Sequence, residues 1–204
     1  MALKFNERTI VDFRSKLTGG GARSNLFEVS IEYPTNMGLD TSSDGAKATG
    51  EFLIKAAEIP ASNLGNIPVP FRGRVLPVAG DRTFDPWTVT VINDTSFNIR
   101  DAMEQWSNSI NDLQFDGGIT SPAGYQTEAF VTQLGRVNDN SGQLSSGSDN
   151  MQQIRQYKFF GIYPNTVSSI PLDYGATDQI EEFQVTFNYI YWTVASGANI
   201  ASGG

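Results

Sequence analysis

The stretch GDRTFDPWTVTVINDTSFNIRDAMEQWSNSINDL, residues 80–113, decides how the rest of the chain is read. Its first half alternates. Phe84, Trp87, Val89 and Val91 mark a strand, and Thr88 and Thr90 fall on the opposite face, because successive strand side chains alternate. Pro86 has no N–H to give to a ladder, so it belongs at the strand's start or on an edge. Asn93-Asp94-Thr95-Ser96 then breaks the alternation, with Asp94 or Ser96 the expected N-cap. From Phe97 the period changes. Ile99, Met103, Trp106, Ile110 and Leu113 recur at steps of three and four and make one apolar stripe. Arg100, Asp101, Glu104, Gln105, Asn108 and Asn111 take the wetter faces, and Gly117-Gly118 is expected to end the helix. The expectation is a helix laid across a sheet, with Trp106 as its buried anchor.

At 204 residues the chain is read as a single domain, residues 1–204, long enough to bury a proper core. An apolar content of 39%, with 11% aromatic residues, fits a globular protein. There is no cysteine and no histidine. Disulfides and thiolate metal sites are excluded, and so are a histidine-dependent triad and a histidine-ligated zinc. A net charge of −8 argues against a surface that grips nucleic acid, which needs a basic stripe. An acidic wall that repels phosphates and lets them slide is still allowed. Nothing approaches the roughly 20 apolar residues of a membrane span, and residues 1–13 are too polar for a signal peptide.

Upstream, residues 1–23 form a basic segment with Lys4, Arg8, Arg14, Lys16 and Arg23, a short helix or an arm, ending at Gly19-Gly20-Gly21. It reads as a solvated terminus or as an arm that docks on an acidic neighbour. Residues 25–33 alternate cleanly: Phe27, Val29, Ile31 and Tyr33 on one face, Glu28, Ser30 and Glu32 on the other. Residues 34–50 are an extended loop rich in Gly, Ser, Thr and Asp. Loops beyond about 12–15 residues usually have a function or flex, so partner contact is expected here. Residues 51–59 form a second strand, with Phe52, Ile54 and Ala56 on one side. Ile67, Val69 and Phe71 form a third, weakened as a central strand by Pro68 and Pro70. Arg72-Gly73-Arg74 then leads on to a turn at Gly80-Asp81. This arginine group, with Arg82, reads either as an anion site or, preferably, as partners for the chain's excess carboxylates.

Downstream, residues 129–134 form a short strand and residues 138–150 a flexible hairpin tip. Residues 154–163 are aromatic-rich, with Gly161 as a bend. Val167, Ile170, Leu172 and Tyr174 follow. Residues 181–194 make the longest alternating run: Phe183, Val185, Phe187, Tyr189 and Tyr191 against Gln184, Thr186 and Asn188. Residues 195–204 are a loose tail. The sum is a mainly β chain of about eight strands, a β-sandwich or partial barrel with one flanking α-helix and a long inter-strand loop.

No catalytic grouping emerges. The triple glycine is not followed by a strand–helix phosphate loop, there is no G-x-S-x-G, and nothing brings Asp81 and Asp85 or Glu181 and Glu182 into a pocket. Asp139 and Asp149 do not have calcium-loop spacing. No enzyme, cofactor or metal is expected.

KAAEIPASNLGNIPVPFRGR followed by AGDRTFDPWTVTVINDTSFNIRDAMEQW resembles the tail tube proteins of contractile, T4-like myovirus tails, part of the contractile injection system tube superfamily. The combination is what carries the likeness: Pro60 after a short strand, the glycine-framed pair Arg72-Gly73-Arg74, the Gly80-Asp81-Arg82 run with Phe84 and Trp87, and Asn93-Asp94 opening the helix that bears Trp106. The likeness extends more weakly through FFGIYPNTVSSIPLDYG and EEFQVTFNYIYW.

The resemblance implies a structural virion protein made in the host cytoplasm. Its β-sandwich subunits assemble as hexameric rings stacked helically into a tube. The implied partners are further copies of itself, the sheath, the baseplate and tail terminator proteins, and, passing through the lumen, tape measure protein and DNA, with no membrane anchor. Glu28, Ser30, Glu32, Gln184, Thr186 and Asn188 are then candidate lumen residues. Arg8, Arg14, Lys16, Met37, Leu39, Asp44 and Lys47 are candidates for contacts between rings or subunits. Two alternatives stay open: an injection-device tube without DNA, and a monomeric β-sandwich binding module.

Overall fold

Strands with one dry face must bury it against something, and here they bury it against each other. The computed structural model describes residues 10–17, 21–37, 51, 53–115, 117–135 and 153–197. Among them are the helix α1 (Ile10–Lys16) and the strands β1 (Phe27–Ile31), β2 (Ile54–Ala57), β3 (Asn63–Phe71), β4 (Arg74–Thr83) and β5 (Trp87–Ile92). The helix α2 (Asn98–Ile110), a one-turn helix α3 (Pro122–Tyr125) and the strands β6 (Thr127–Leu134), β7 (Gln153–Val167), β8 (Glu182–Asn188) and β9 (Tyr191–Gly197) complete them. Seven strands make one sheet in the order β1-β6-β7-β8-β5-β2, with β9 also on β7, while β3 and β4 form a ribbon of their own. Each of these pairings is antiparallel.

The long strand β7 turns that sheet into a sandwich. Its first part pairs with β6 and β9 and its last part with β8. The change falls at Gly161. Phe160 pairs with Glu128 and Ile162 with Thr127, so Gly161 is the extra residue of a bulge, at φ +65°. A Cβ there would sit 2.5 Å from Ile190 Cδ1, so glycine is required for both its backbone and the close approach. The two halves face each other across one core. Val29, Val131 and Phe159 come from one side, and Trp87, Val89, Val91, Phe183, Val185 and Phe187 from the other. The fold is the expected mainly β sandwich with a flanking helix, and the sheet does not close into a barrel.

The helix α2 closes the sandwich with Ile99, Ala102, Met103 and Trp106, all buried. The Trp106 indole meets Tyr33 edge-on at 5.8 Å, and its Nε1–H donates to the Tyr125 carbonyl at 2.8 Å. Such a buried anchor contributes about 1.5–3 kcal/mol through burial, and only with its N–H partnered.

Several local expectations are corrected. No side-chain cap opens α2. Phe97 takes the cap position in the left-handed region at φ 54°, and Asp94 accepts the Phe97 N–H through its backbone carbonyl. The helix ends at Ile110, so Leu113 lies outside it and is 91% exposed. Gly118 does not stop the helix in sequence. Its α-carbon lies where a side chain would collide with the Ile110 carbonyl, and the following Ile119 N–H donates to Ser109. A bulge between Ile54 and Ala56 turns Ala56 outward and Ala57 inward. The run over residues 181–194 is two strands, β8 and β9, which leave for different halves of the sandwich after Asn188.

The largest correction concerns residues 63–83. Arg72-Gly73 is a two-residue turn with both φ values positive (46° and 80°), which is the signature of a tight β-hairpin. Gly80-Asp81 is not a turn but lies within β4, where Gly80 and Gly65 let the two backbones approach.

Candidate functional site

The sandwich presents two outer walls. On the wall built from β1, β6, β7 and β9, Glu28 and Ser30 stand opposite Thr132 and Phe130, and these in turn opposite Gln156 and Lys158. Ser30 Oγ donates to Glu51 at 3.0 Å, and Gln156 Nε2 donates to Thr132 Oγ1 at 3.1 Å. A shallow groove of about 320 Å³ runs between Glu28, Ser30, Glu51 and Gln156. Beside it the wall becomes aromatic. The Lys158 ammonium sits 4.6 Å from the Phe160 ring centre and 5.4 Å from that of Phe130, and it pairs with Glu128 at 2.6 Å. Phe160 stacks on Tyr191 at 4.6 Å. Glu32, at the end of β1, is half-buried, and its backbone N–H donates to Glu128.

The second wall, built from β2, β5, β8 and the end of β7, is polar and nearly neutral. Thr88 and Thr186 share a hydrogen bond of 3.0 Å, Thr90 stands opposite Gln184, and Asn188 Nδ2 donates to the Tyr163 hydroxyl at 3.3 Å. Lys55 and Glu182 close an ion pair at 2.6 Å. The six lumen candidates therefore divide. Glu28, Ser30 and Glu32 lie on the first wall and Gln184, Thr186 and Asn188 on the second, with the core between them. The two triplets thus sit on different walls of the subunit, on either side of the bulge at Gly161.

The contact candidates fare differently. Arg14 and Lys16 lie on α1, which buries none of its residues and leaves Ile10, Val11 and Phe13 exposed. Met37 is half-buried: it packs against the core and receives the Ser109 hydroxyl at 3.2 Å. Arg8, Leu39, Asp44 and Lys47, and the loop and tip at residues 38–50 and 138–150, lie outside the described residues.

The residues carrying the motif divide between the packed body of the fold and the hairpin β3–β4. Trp87 stacks on Phe159 at 4.6 Å and donates its indole N–H to the Glu58 carbonyl; Phe84 meets Tyr189 at 5.8 Å. Asn93 holds Glu181 twice, by backbone N–H and by Nδ2, both at 2.9 Å. Asp94 opens the turn before α2, and Arg82 donates to Ser62 at 2.6 Å. Pro60 precedes the hairpin, Arg72-Gly73 forms its turn with Arg74 just beyond, and Gly80 and Asp81 lie in its second strand.

That hairpin is the surface feature sequence reasoning missed. From Leu64 to Ala79 each of its residues is exposed. Ile67, Val69, Phe71, Leu76 and Val78 share one face through the pairs Ile67–Val78 and Val69–Leu76, and each is at least 42% exposed. Two-residue positive-φ turns mark such ribbons, but the prolines at 68, 70 and 77 masked the strands. Among the described residues no cluster suits a metal ion, and no helix is long and apolar enough to cross a membrane. The arrangement offers surfaces rather than reaction chemistry.

Known proteins share both sequence and fold. A family model described as phage tail tube protein matches residues 22–195. The chain is 33% identical over 177 residues to the tail tube protein gp19 of Enterobacteria phage T4, covering 86% of this chain and 93% of that one. It is 27% identical over 183 residues to the tail tube protein of Serratia phage KSP90, covering 89% and 94%. Among solved structures it resembles the tube terminating cap of the anti-feeding prophage, with a TM-score of 0.58 at 13% identity, covering 87% of this chain and 92% of the other. It also resembles a chain of the PVC extracellular contractile injection system sheath/tube terminator, with a TM-score of 0.55 at 11% identity, covering 86% and 97%.

Proposed function

We propose, from the premise that the chain belongs to the phage tail tube protein family, that its copies close into hexameric rings whose stack is the inner tube of a contractile tail. As a member of that family the chain is a structural virion protein, not an enzyme. Its fold is shared by chains of tube, baseplate and terminator assemblies. The observation that carries the ring reading is the open sheet. Among the described residues, edge strands present unpaired backbone groups on both sides of the sandwich, and a barrel built from several copies removes them.

We assign the lumen to the second wall, with Gln184, Thr186 and Asn188 beside Thr88 and Thr90. These hydrogen-bonding side chains are neutral, and the Lys55 charge on the same wall is held by Glu182, so passing phosphates find little against which to exchange counterions. The first wall suits this task poorly. Stacking of a base on an aromatic side chain is worth about 1–3 kcal/mol, so the Phe130–Lys158–Phe160–Tyr191 ladder would hold a nucleic acid rather than release it. Glu28, Ser30 and Glu32 then lie outside the lumen.

The cargo in this reading is phage DNA, ejected as the sheath contracts, with tape measure protein occupying the lumen beforehand. Sheath, baseplate and terminator proteins contact the tube's outside and ends. The relatives at 33% identity are phage proteins, which favours DNA over the empty or effector-bearing tube of an injection device. Negative-stain microscopy of the purified chain tests the reading: doughnuts or hollow tubes are expected. A monodisperse monomer at high concentration overturns it in favour of a solitary binding module.

A further inference from the structure

We propose that the hairpin β3–β4 of one copy seats its arginine tip and apolar face in the acidic cleft formed by residues 170–182 of a second copy; this rests on the tube reading above. The two surfaces lie at opposite ends of the same wall. The hairpin joins β2 and β5 where Ala57 pairs with Val89, at the start of β5. The cleft lies at the other end, where Ile92 pairs with Glu182 and Glu181 is held by Asn93. A contact between unlike ends is heterologous and repeats by translation without closing, which generates a stack.

The chemistry of the two ends is complementary. Residues 170–182 carry four carboxylates, Asp173, Asp178, Glu181 and Glu182, and no lysine or arginine. Lys55 neutralises Glu182 only. The cleft has a volume of about 530 Å³, and beside its carboxylates it exposes Leu172 at 81% and Ile180 at 72%. The hairpin brings the matching pair of properties: an apolar face and, at its tip, Arg72 and Arg74. Arg72 lies over its own Phe71 ring at 5.3 Å, and among the described residues neither arginine has a carboxylate partner. The excess acid that these arginines are expected to meet is thus supplied by another molecule.

The hairpin docks by its face because its edges are blunted. In a two-residue hairpin the closing pair, here Phe71–Arg74, is hydrogen-bonded, and the pairs then alternate. Pro70–Val75 and Pro68–Pro77 therefore fall at non-hydrogen-bonded positions, where an N–H would point outward along the edge. Proline has none. The β3 edge keeps only the Asn66 N–H outward between residues 66 and 70, and the β4 edge is interrupted at Pro77, so neither edge can template a further strand.

The absence of cysteine makes the test direct. Full-length R74C and D173C chains are mixed, assembled, and treated with a short bis-maleimide. The expected result is a cross-linked dimer in the mixture, with at most one tenth of its yield in either variant alone. Tubes that form normally without this cross-link overturn the proposed seat and leave the tube reading standing. A dimer formed equally by R74C alone places tip against tip and also overturns it. Wild-type chain that never assembles overturns the tube reading and this contact with it. Independently, R72E/R74E should assemble at least tenfold less and recover when mixed with D173R/E181R. Undiminished assembly of R72E/R74E overturns the proposal.

Discussion

The Trp87 indole of β5 lies nearly parallel to the Phe159 ring of β7, 25° from coplanar with centroids 4.6 Å apart, and this pair joins the two walls of the sandwich. Both residues are almost fully buried. Phe159→Ala removes the stack and leaves a cavity where two sheets meet, so a loss of about 3–5 kcal/mol is expected in urea unfolding of the isolated subunit. A loss below about 1 kcal/mol would show that the walls are joined elsewhere.

Gly161→Ala tests the bulge. The substitution adds a methyl at 2.5 Å from Ile190 Cδ1 in a left-handed backbone region. A destabilisation of roughly 1–3 kcal/mol is expected, partly recovered by adding Ile190→Ala, which removes the collision but not the backbone strain. Recovery in thermal unfolding that is complete, or absent, would contradict this division.

Burial holds the Tyr33 phenol protonated well above its ordinary value of 10.0. The folded chain keeps a proton that the unfolded chain releases, so this stability is fully present below about pH 10 and declines as pH rises further. The decline approaches about 1.4 kcal/mol per pH unit from this one group. Unfolding of wild type and Tyr33→Phe at successive pH values should diverge in slope only above pH 10. Parallel curves throughout would remove Tyr33 as the cause.

The wall assignment separates two pairs of substitutions. Thr186→Lys with Asn188→Lys should leave tubes intact and slow DNA passage, since each added cation contributes a phosphate contact and a salt dependence. Glu28→Lys with Glu32→Lys should leave DNA passage unchanged. The reverse pattern in a DNA-ejection assay moves the lumen to the other wall.

The hairpin tests stability and assembly separately. Its apolar face is exposed, so Ile67→Ser with Val69→Ser and Leu76→Ser should change subunit stability by no more than about 0.5 kcal/mol per site. Assembly into tubes should be lost in the same preparation. Retained tube length by microscopy would show that this face has no partner.

Period was the legible part of the chain. Alternation located β1, β5 and β8 and assigned Val29, Ile31, Val89, Val91, Val185 and Phe187 to the core, and the three-and-four spacing located Trp106. What periodicity cannot encode is direction. Gln184 and Glu28 both read as outward, but the fold separates them through one glycine in β7. The hairpin was obscured because proline counts against a strand in general. It is tolerated at outward-facing positions of a two-stranded ribbon, where Pro68, Pro70 and Pro77 sit. The apolar spacing overruns the helix, because Leu113 keeps it for one step beyond Ile110, after the backbone has already turned extended at Asn111.

A single uninterrupted strand runs through both halves of the subunit, bent at Gly161. A shear force that slides one half past the other must therefore stretch a covalent backbone as well as pull apart side chains and hydrogen bonds. For a tail tube protein, this resists delamination under load even if the non-covalent contacts loosen briefly.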